Sequence, residues 1–353
     1  MGMARWGEGS LLTTIAGSLP KPDWLLPWAP RGPGDEKIGS GRADWRFHGE
    51  DLKAAQDDAT RLAIHDQERA GIDIISDGEQ RRVSYITYVT EALDGFDFGT
   101  LGEKLIRKGR RLARVGRCVG AVKRKGPILV DDLAYALRHA TRPLKVTLPG
   151  PMTVVDTTLD AYYHDDRAFA FDVAAALNEE ARALDALGPA VIQFDEPTFS
   201  RDPERTAEWG IEALNRCVQG LKAKTATHVC YGYPIAGVER PVRDTYPVIL
   251  ELLEGSDVQQ LALEFEAPLL DPKTLRRCPS KTVLFGCIDN GSNEVETPEH
   301  VAGRLLAAAE HLPSEQLQAA PDCGLLPLHP TIARAKLQAM AEGARLARVR
   351  VKA

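Results

Sequence analysis

Several absences narrow the field before any motif is considered. No apolar run approaches the ~18 residues of a membrane span, so no membrane partner is expected. The N-terminal residues lack a basic segment followed by an apolar core and a small-residue cleavage site, which predicts a cytoplasmic chain without a secretion signal. Cysteine is sparse: Cys118, Cys217, Cys230, Cys278, Cys287 and Cys323 are the six in 353 residues. Such a count reads as free thiols or metal ligands rather than a disulfide framework. Excess positive charge is missing too, since 44 Lys and Arg against 50 Asp and Glu leave a net charge of −6. That argues against nucleic acid as the main partner. No internal repeat, low-complexity tract or linker is evident, and no G-x-G-x-x-G follows the first expected strand.

What is present is ordinary globular composition, 44% hydrophobic and 27% charged. The length suits one α/β barrel of ~250 residues with decoration. Eight short β-branched, apolar segments recur: Thr13–Gly17, Ile72–Ser76, Lys145–Pro149, Ala190–Phe194, Lys224–Val229, Val258–Leu263, Thr282–Cys287 and Gln316–Ala320. Amphipathic stretches lie between most of them, including Glu50–Ala70, Arg167–Leu187, Glu204–Leu221, Pro298–Leu312 and Thr331–Arg348. Alternating strands and helices favour a parallel sheet with right-handed crossovers, and eight strands predict closure into a (β/α)8 TIM barrel with long βα loops. The expected organisation is a single domain over residues 1–353, with the barrel at 13–348.

Two stretches break the rhythm. Lys21–Asp44 is rich in Pro, Gly and Trp and reads as a loop across one barrel end. Residues 101–127 hold ten Lys or Arg against one acid, Glu103. They read as a basic insertion after the second strand, either a hairpin or a helical excursion. It is either a solvated surface or a contact for an anionic substrate tail or acidic partner.

In such a barrel the chemistry gathers where the βα loops converge, at the C-terminal strand ends. The sequence puts Ser18, Glu79, Asp195, His228, Cys230, Glu264, Asp289 and Cys323 at those ends. The sharpest subset is His228, Cys230, Glu264 and Cys323. His228 and Cys230 are two apart, so an extended backbone points both to one side. Glu264 follows Cys230 by 34 residues and Cys323 follows Glu264 by 59, about one and two βα units. One nitrogen, two sulfurs and one carboxylate suit zinc, whereas magnesium would want oxygen only. The competing reading is a buried histidine in a core network beside two cysteines acting as small hydrophobes. His329 is either near the metal or at a helix start.

These residues also carry a family likeness. T-T-I-A-G-S-L-P at Thr13–Pro20, S-D-G-E at Ser76–Glu79, G-P-M-T at Gly150–Thr153, D-E-P at Asp195–Pro197, H-V-C-Y at His228–Tyr231, L-A-L-E at Leu261–Glu264 and D-C-G-L at Asp322–Leu325 occur in order. The chain thus resembles the catalytic C-terminal barrel of cobalamin-independent methionine synthases, as a short relative without their additional N-terminal barrel. The resemblance implies zinc on His228, Cys230, Glu264 and Cys323, and methyl transfer to the thiol of homocysteine. It implies that Ser18 binds the amino-acid carboxylate while Glu79 and Asp195 pair with its ammonium. Arg117 and Cys118 resemble an R-C-V element near that family's folate site. Asp289 is the candidate catalytic residue, orienting the methyl donor or relaying a proton. Two positions depart from the pattern. Thr157 stands where those enzymes carry a pterin-stacking Trp, and Gly291 where they carry a His. The donor is accordingly a methyl-folate or another donor such as a methylated corrinoid. The alternatives are a thiol alkyltransferase of the epoxide-to-coenzyme-M type, a non-catalytic zinc- or thiol-binding barrel, and a metal-free barrel decarboxylase.

Overall fold

The structure, a computed structural model, describes residues 9–27, 43–109, 111–232 and 244–351. Seven strands form one curled sheet in the order β1 (Leu12–Thr13), β10 (Leu317–Ala320), β9 (Thr282–Gly286), β8 (Gln260–Leu263), β7 (Lys224–Val229), β6 (Val191–Asp195) and β4 (Lys145–Pro149). Every pairing in it is parallel. The chain segment expected to be the second strand lies between the two edges. It touches each through a single bridge, Thr14 with Ile74 and Ile75 with Leu144. The fold is therefore the expected TIM-barrel type, but Ile72–Ser76 is not a full strand. The reason is local. The Ser76 N–H donates to Gln67 Oε1 (2.9 Å), and Gln67 Nε2 donates to the Ser76 carbonyl (2.8 Å). A side chain has taken the place of the ladder.

Helices cover the sheet as amphipathic spacing demands. Gly49–Ala70 buries Ala55, Ala59, Ala63, Ile64 and Gln67, one face at i, i+4 steps, and ends on Gly71 at φ 88°. Asp165 caps Asp166–Asp185 by accepting from the Arg167 and Ala168 N–H groups. The helix Pro298–Ala309 begins and Pro330–Val351 extends close to the expected bounds. The stretch Glu204–Leu221 is not one regular helix: a π turn at Thr206–Gly210 separates Pro203–Arg205 from Ile211–Val218. In the core Phe265 stacks on Phe285, ring centroids 4.7 Å apart, and meets Tyr246 edge-on at 6.0 Å.

The basic excursion is a hairpin, and it starts earlier than expected. β2 (Leu93–Ile106) pairs antiparallel with β3 (Arg111–Arg124), and β5 (Leu159–Asp160) adds to β3. Phe96 anchors it against Phe169, with ring centroids 6.0 Å apart. At its tip Arg107, Lys108 and Gly109 all adopt left-handed backbone, at φ 57°, 57° and 80°. Of the loop Lys21–Asp44, residues 28–42 lie outside the described residues. Among the described residues no helix is long and apolar enough to cross a membrane.

Candidate active site

The C-terminal strand ends open into one cavity with two walls. One wall is the barrel itself, presenting Ser18, Glu79, Asp195, His228, Cys230 and Cys323. The other is laid against it by the hairpin, with Ile106, Arg107 and Arg111 beside Tyr85, Asp156 and Arg201.

On the barrel wall the two acids are buried and held. Glu79 Oε1 accepts from Thr147 Oγ1 (2.8 Å). A Cβ on Gly17 would lie 2.7 Å from that oxygen, so the close approach of the first strand's exit requires glycine. Asp195 Oδ1 accepts from Gln193 Nε2 (2.7 Å), which also donates to the Ala16 carbonyl (2.6 Å). Beneath them Lys145 Nζ donates to Gln193 Oε1 (2.9 Å) and to the Ile15 carbonyl. Burial pushes Asp195 up to about 7 and Lys145 down to about 7.

Beside the acids, atoms of His228, Cys230 and Cys323 lie within 4.8 Å of one another, all buried. The two sulfurs are 3.7 Å apart. Tetrahedral zinc with Zn–S bonds of ~2.3 Å would hold its sulfurs ~3.8 Å apart. Among the described residues neither ring nitrogen of His228 has a hydrogen-bond partner, and a buried imidazole without one is costly unless something else takes a nitrogen. Both observations fit a metal. Without one, the Cys323 thiol and the nearby His228 hold Cys230 well below the usual thiol range, against its burial. Cys323 is pushed the other way by Cys230 and by burial. Burial works against a charged His228, but Cys230 and Asp195 outweigh it and lift the imidazole to about 9.

The family model for the catalytic domain of cobalamin-independent synthases matches residues 33–346. The chain belongs to this family. It is accordingly a methyltransferase. The chain is similar to the methionine synthase of Sulfurisphaera tokodaii, 33% identical over 343 residues, which are 97% of this chain and 94% of that protein. That of Thermococcus kodakarensis is 32% identical over 340 residues, 96% of this chain and 94% of the relative. Among solved structures, a B12-independent methionine synthase from Shewanella sp. W3-18-1 in complex with selenomethionine superimposes with a TM-score of 0.89. It is 36% identical, covering 98% of this chain and 99% of that one.

Not every residue expected at this methyltransferase's site arrives there. Glu264 is fully buried beside the metal group but outside its 4.8 Å radius. Its Oε2 accepts the Tyr231 N–H (2.8 Å), one residue past Cys230. Asp322 ties the neighbouring exits together by accepting the N–H groups of Phe265, Glu266 and Ala267 at 2.9, 2.9 and 2.6 Å. Asp289 is not in the cavity lining; its Oδ1 accepts the Gly291 N–H (2.7 Å) and closes a turn. Arg117 and Cys118 also stay out of the lining. Arg117 stands 3.9 Å from Asp97 across the hairpin, and Cys118 is buried with its thiol 3.4 Å from the Gly120 carbonyl. Burial pushes that thiol up to about 11. His329 is half-buried at a helix start, Nδ1 2.8 Å from Thr331 Oγ1. Conversely, the cavity takes in Arg107, Arg111 and Arg201 without a sequence motif to announce them. The basic run was the signal for the first two, but which of its members face inward depends on where the hairpin folds back.

Proposed function

We propose that this chain is a zinc-dependent methyltransferase that transfers a methyl group to the thiol of homocysteine, giving methionine. The observation that carries the reading is one cavity joining the His228–Cys230–Cys323 group to Ser18, Glu79 and Asp195. His228, Cys230 and Cys323 would hold the zinc, with Glu264 next to them as a fourth donor. Zinc, when bound, supplies deprotonation of a thiol at neutral pH, where a free thiol is mostly protonated. Glu79 and Asp195 bind the substrate ammonium through charge-assisted hydrogen bonds. Ser18 orients the carboxylate. The hydrogen bonds from Thr147 and Gln193 fix both acids before the substrate arrives, so little ordering cost remains on binding. The selenomethionine complex of the Shewanella relative, a methionine-shaped ligand, supports the same acceptor here.

The donor side differs from a folate site. Thr157 lines the cavity with its hydroxyl turned back to the Thr153 carbonyl (2.7 Å), offering no ring to stack a pterin. Arg117 and Cys118 lie away from it. These features support a donor other than methyl-folate, with a methylated corrinoid as the first to test. A coenzyme-M-type acceptor is disfavoured, because two buried carboxylates would repel its sulfonate. The test is methionine formation by the zinc-loaded protein from homocysteine, with methyl-folate and with methylcobalamin as separate donors. Product with either supports the acceptor assignment, and the donor that works settles the second half. S-alkylation of coenzyme M but not of homocysteine would overturn the reading.

A further inference from the structure

Behind each of the two cavity acids stands a second, deeper donor. Lys145 and Thr147 share one face of β4, Gln193 and Asp195 one face of β6, and the register sets Thr147 beside Gln193. Gln193 Nε2 faces two acceptors, Asp195 Oδ1 (2.7 Å) and the Ala16 carbonyl (2.6 Å), while its Oε1 faces Lys145 Nζ (2.9 Å). Lys145 also donates to the Ile15 carbonyl. These two bonds use two hydrogens, so the lysine donates to Gln193 whether or not it carries its third proton. A turned amide would set its oxygen against a carboxylate and a carbonyl, and its own hydrogens against those of the lysine. The amide is therefore held one way round, with an N–H toward Asp195.

The other acid repeats the arrangement with different residues. Arg82 Nη1 donates to the Thr147 carbonyl (2.8 Å) and to Thr147 Oγ1 (3.0 Å), and Thr147 Oγ1 donates to Glu79 Oε1 (2.8 Å). A guanidinium only donates, so the hydroxyl accepts from it and keeps its single hydrogen for Glu79. Arg82 is itself held, with Nη2 3.6 Å from Asp77 Oδ2. Arg82 and Lys145 are both buried, where a hydrogen bond left unmade costs more than it does at the surface.

We propose that Lys145 and Arg82 are positioning residues for the acceptor. Acting through Gln193 and Thr147, they hold Asp195 and Glu79 aimed at an α-ammonium group, and so make the cavity selective for amino-acid thiols over thiols that lack that group. The proposal rests on the reading of Glu79 and Asp195 as the ammonium site.

The test compares, by calorimetry on the zinc-loaded protein, the binding of homocysteine and of γ-mercaptobutyrate, the same molecule without its amino group. Lys145→Met and Arg82→Met remove the deep donors, and Arg82→Lys keeps one. Gln193→Met and Thr147→Val, close in size to the residues they replace, break the middle of each link. Thermal unfolding and zinc content check every variant. The wild type should prefer homocysteine by about 10- to 100-fold, the worth of a charged hydrogen bond. Lys145→Met and Arg82→Met should each cut that preference by about fivefold or more, by weakening homocysteine alone, with a smaller loss in Arg82→Lys. Each middle variant should match the deep variant of its own link. Both ligands weakened equally, or a preference left intact, would overturn the proposal, since a merely structural role touches both ligands alike. If the deep variants do not fold, the middle variants decide by the same comparison. A wild type that binds the two ligands equally would remove the ammonium site and the proposal with it. A wild-type preference that survives the substitutions leaves the ammonium site standing and removes only the positioning role.

Discussion

The two walls of the cavity are built by different means. On the barrel wall the functional side chains are buried beyond the strands and the bridged segment, and the three carboxylates are already held by neighbours. Thr147 serves Glu79, Gln193 serves Asp195, and Tyr231 serves Glu264. On the hairpin wall the side chains are half-buried and hang from a tip in left-handed backbone. The difference separates two tasks. On the reading proposed above, the barrel wall would hold the acceptor and the metal, which are the same in every turnover. The hairpin wall is a loop-built surface, where substitution changes what is recognised without disturbing the core.

The comparison breaks first at the sulfurs. Cys230→Ser and Cys323→Ser should each lower zinc affinity by more than about 100-fold and abolish turnover, with the thermal midpoint nearly unchanged. Plasma-emission metal analysis with a methionine assay would show it, and full zinc and full turnover in both variants would sink the metal assignment. Next come the acids. Asp195→Asn and Glu79→Gln should each reduce kcat/KM for homocysteine by about 10- to 100-fold, the worth of one charged hydrogen bond. Zinc content should stay intact, and a loss of metal instead would move these residues to the other half of the site.

A smaller effect probes the floor of the barrel wall. Lys145 has a folded pKa of about 7 against an ordinary 10.5. Between those values the unfolded chain carries a proton that the folded one does not. Stability should therefore climb as pH rises from about 7 toward 10, and the contribution is flat below 7, where both forms are charged. Lys145→Met should flatten that climb in denaturant unfolding, and an identical slope in both proteins would contradict it. The smallest change is expected at Arg117, paired only at 3.9 Å across a half-exposed hairpin position. Arg117→Ala should alter kcat/KM less than about twofold with any donor. A tenfold loss would return it to the donor site.

How far the sequence could be read follows the same division. Strand ends are set by local pattern, so β4, β6, β7, β8, β9 and β10 fall within one or two residues of the apolar segments that announced them. His228, Cys230 and Cys323 then meet because register, not loop shape, places them. Ile72–Ser76 misled because its composition is that of a strand, whereas the Gln67 side chain captures its end. The hairpin was underestimated at its start, although Leu93, Phe96 and Phe98 lie among small and acidic residues typical of a twisted two-stranded ribbon. Asp289 was the catalytic candidate for its strand-end position and for its match to an Asp of the family pattern. Such a residue can equally close its own turn, and here it does. The convergence of Arg107 with Arg201 was out of reach, since they lie 94 residues apart and meet only through tertiary folding.

The bridged segment between β1 and β4 has one further consequence. It is a seam in an otherwise continuous ring, closed by two bridges and by side-chain stitches such as Thr13 Oγ1 to Asp73 Oδ2 (3.0 Å). Ser18 and Glu79 follow the two segments that meet there, while His228 and Cys230 stand over β7, which is laddered on both sides. Opening of the ring should begin at this seam, and among the barrel segments amide hydrogen exchange should be fastest at Thr14, Ile74 and Ile75. An amino acid bridging Ser18 and Glu79 would then act as a clasp, slowing exchange along the seam while leaving the metal side as it was.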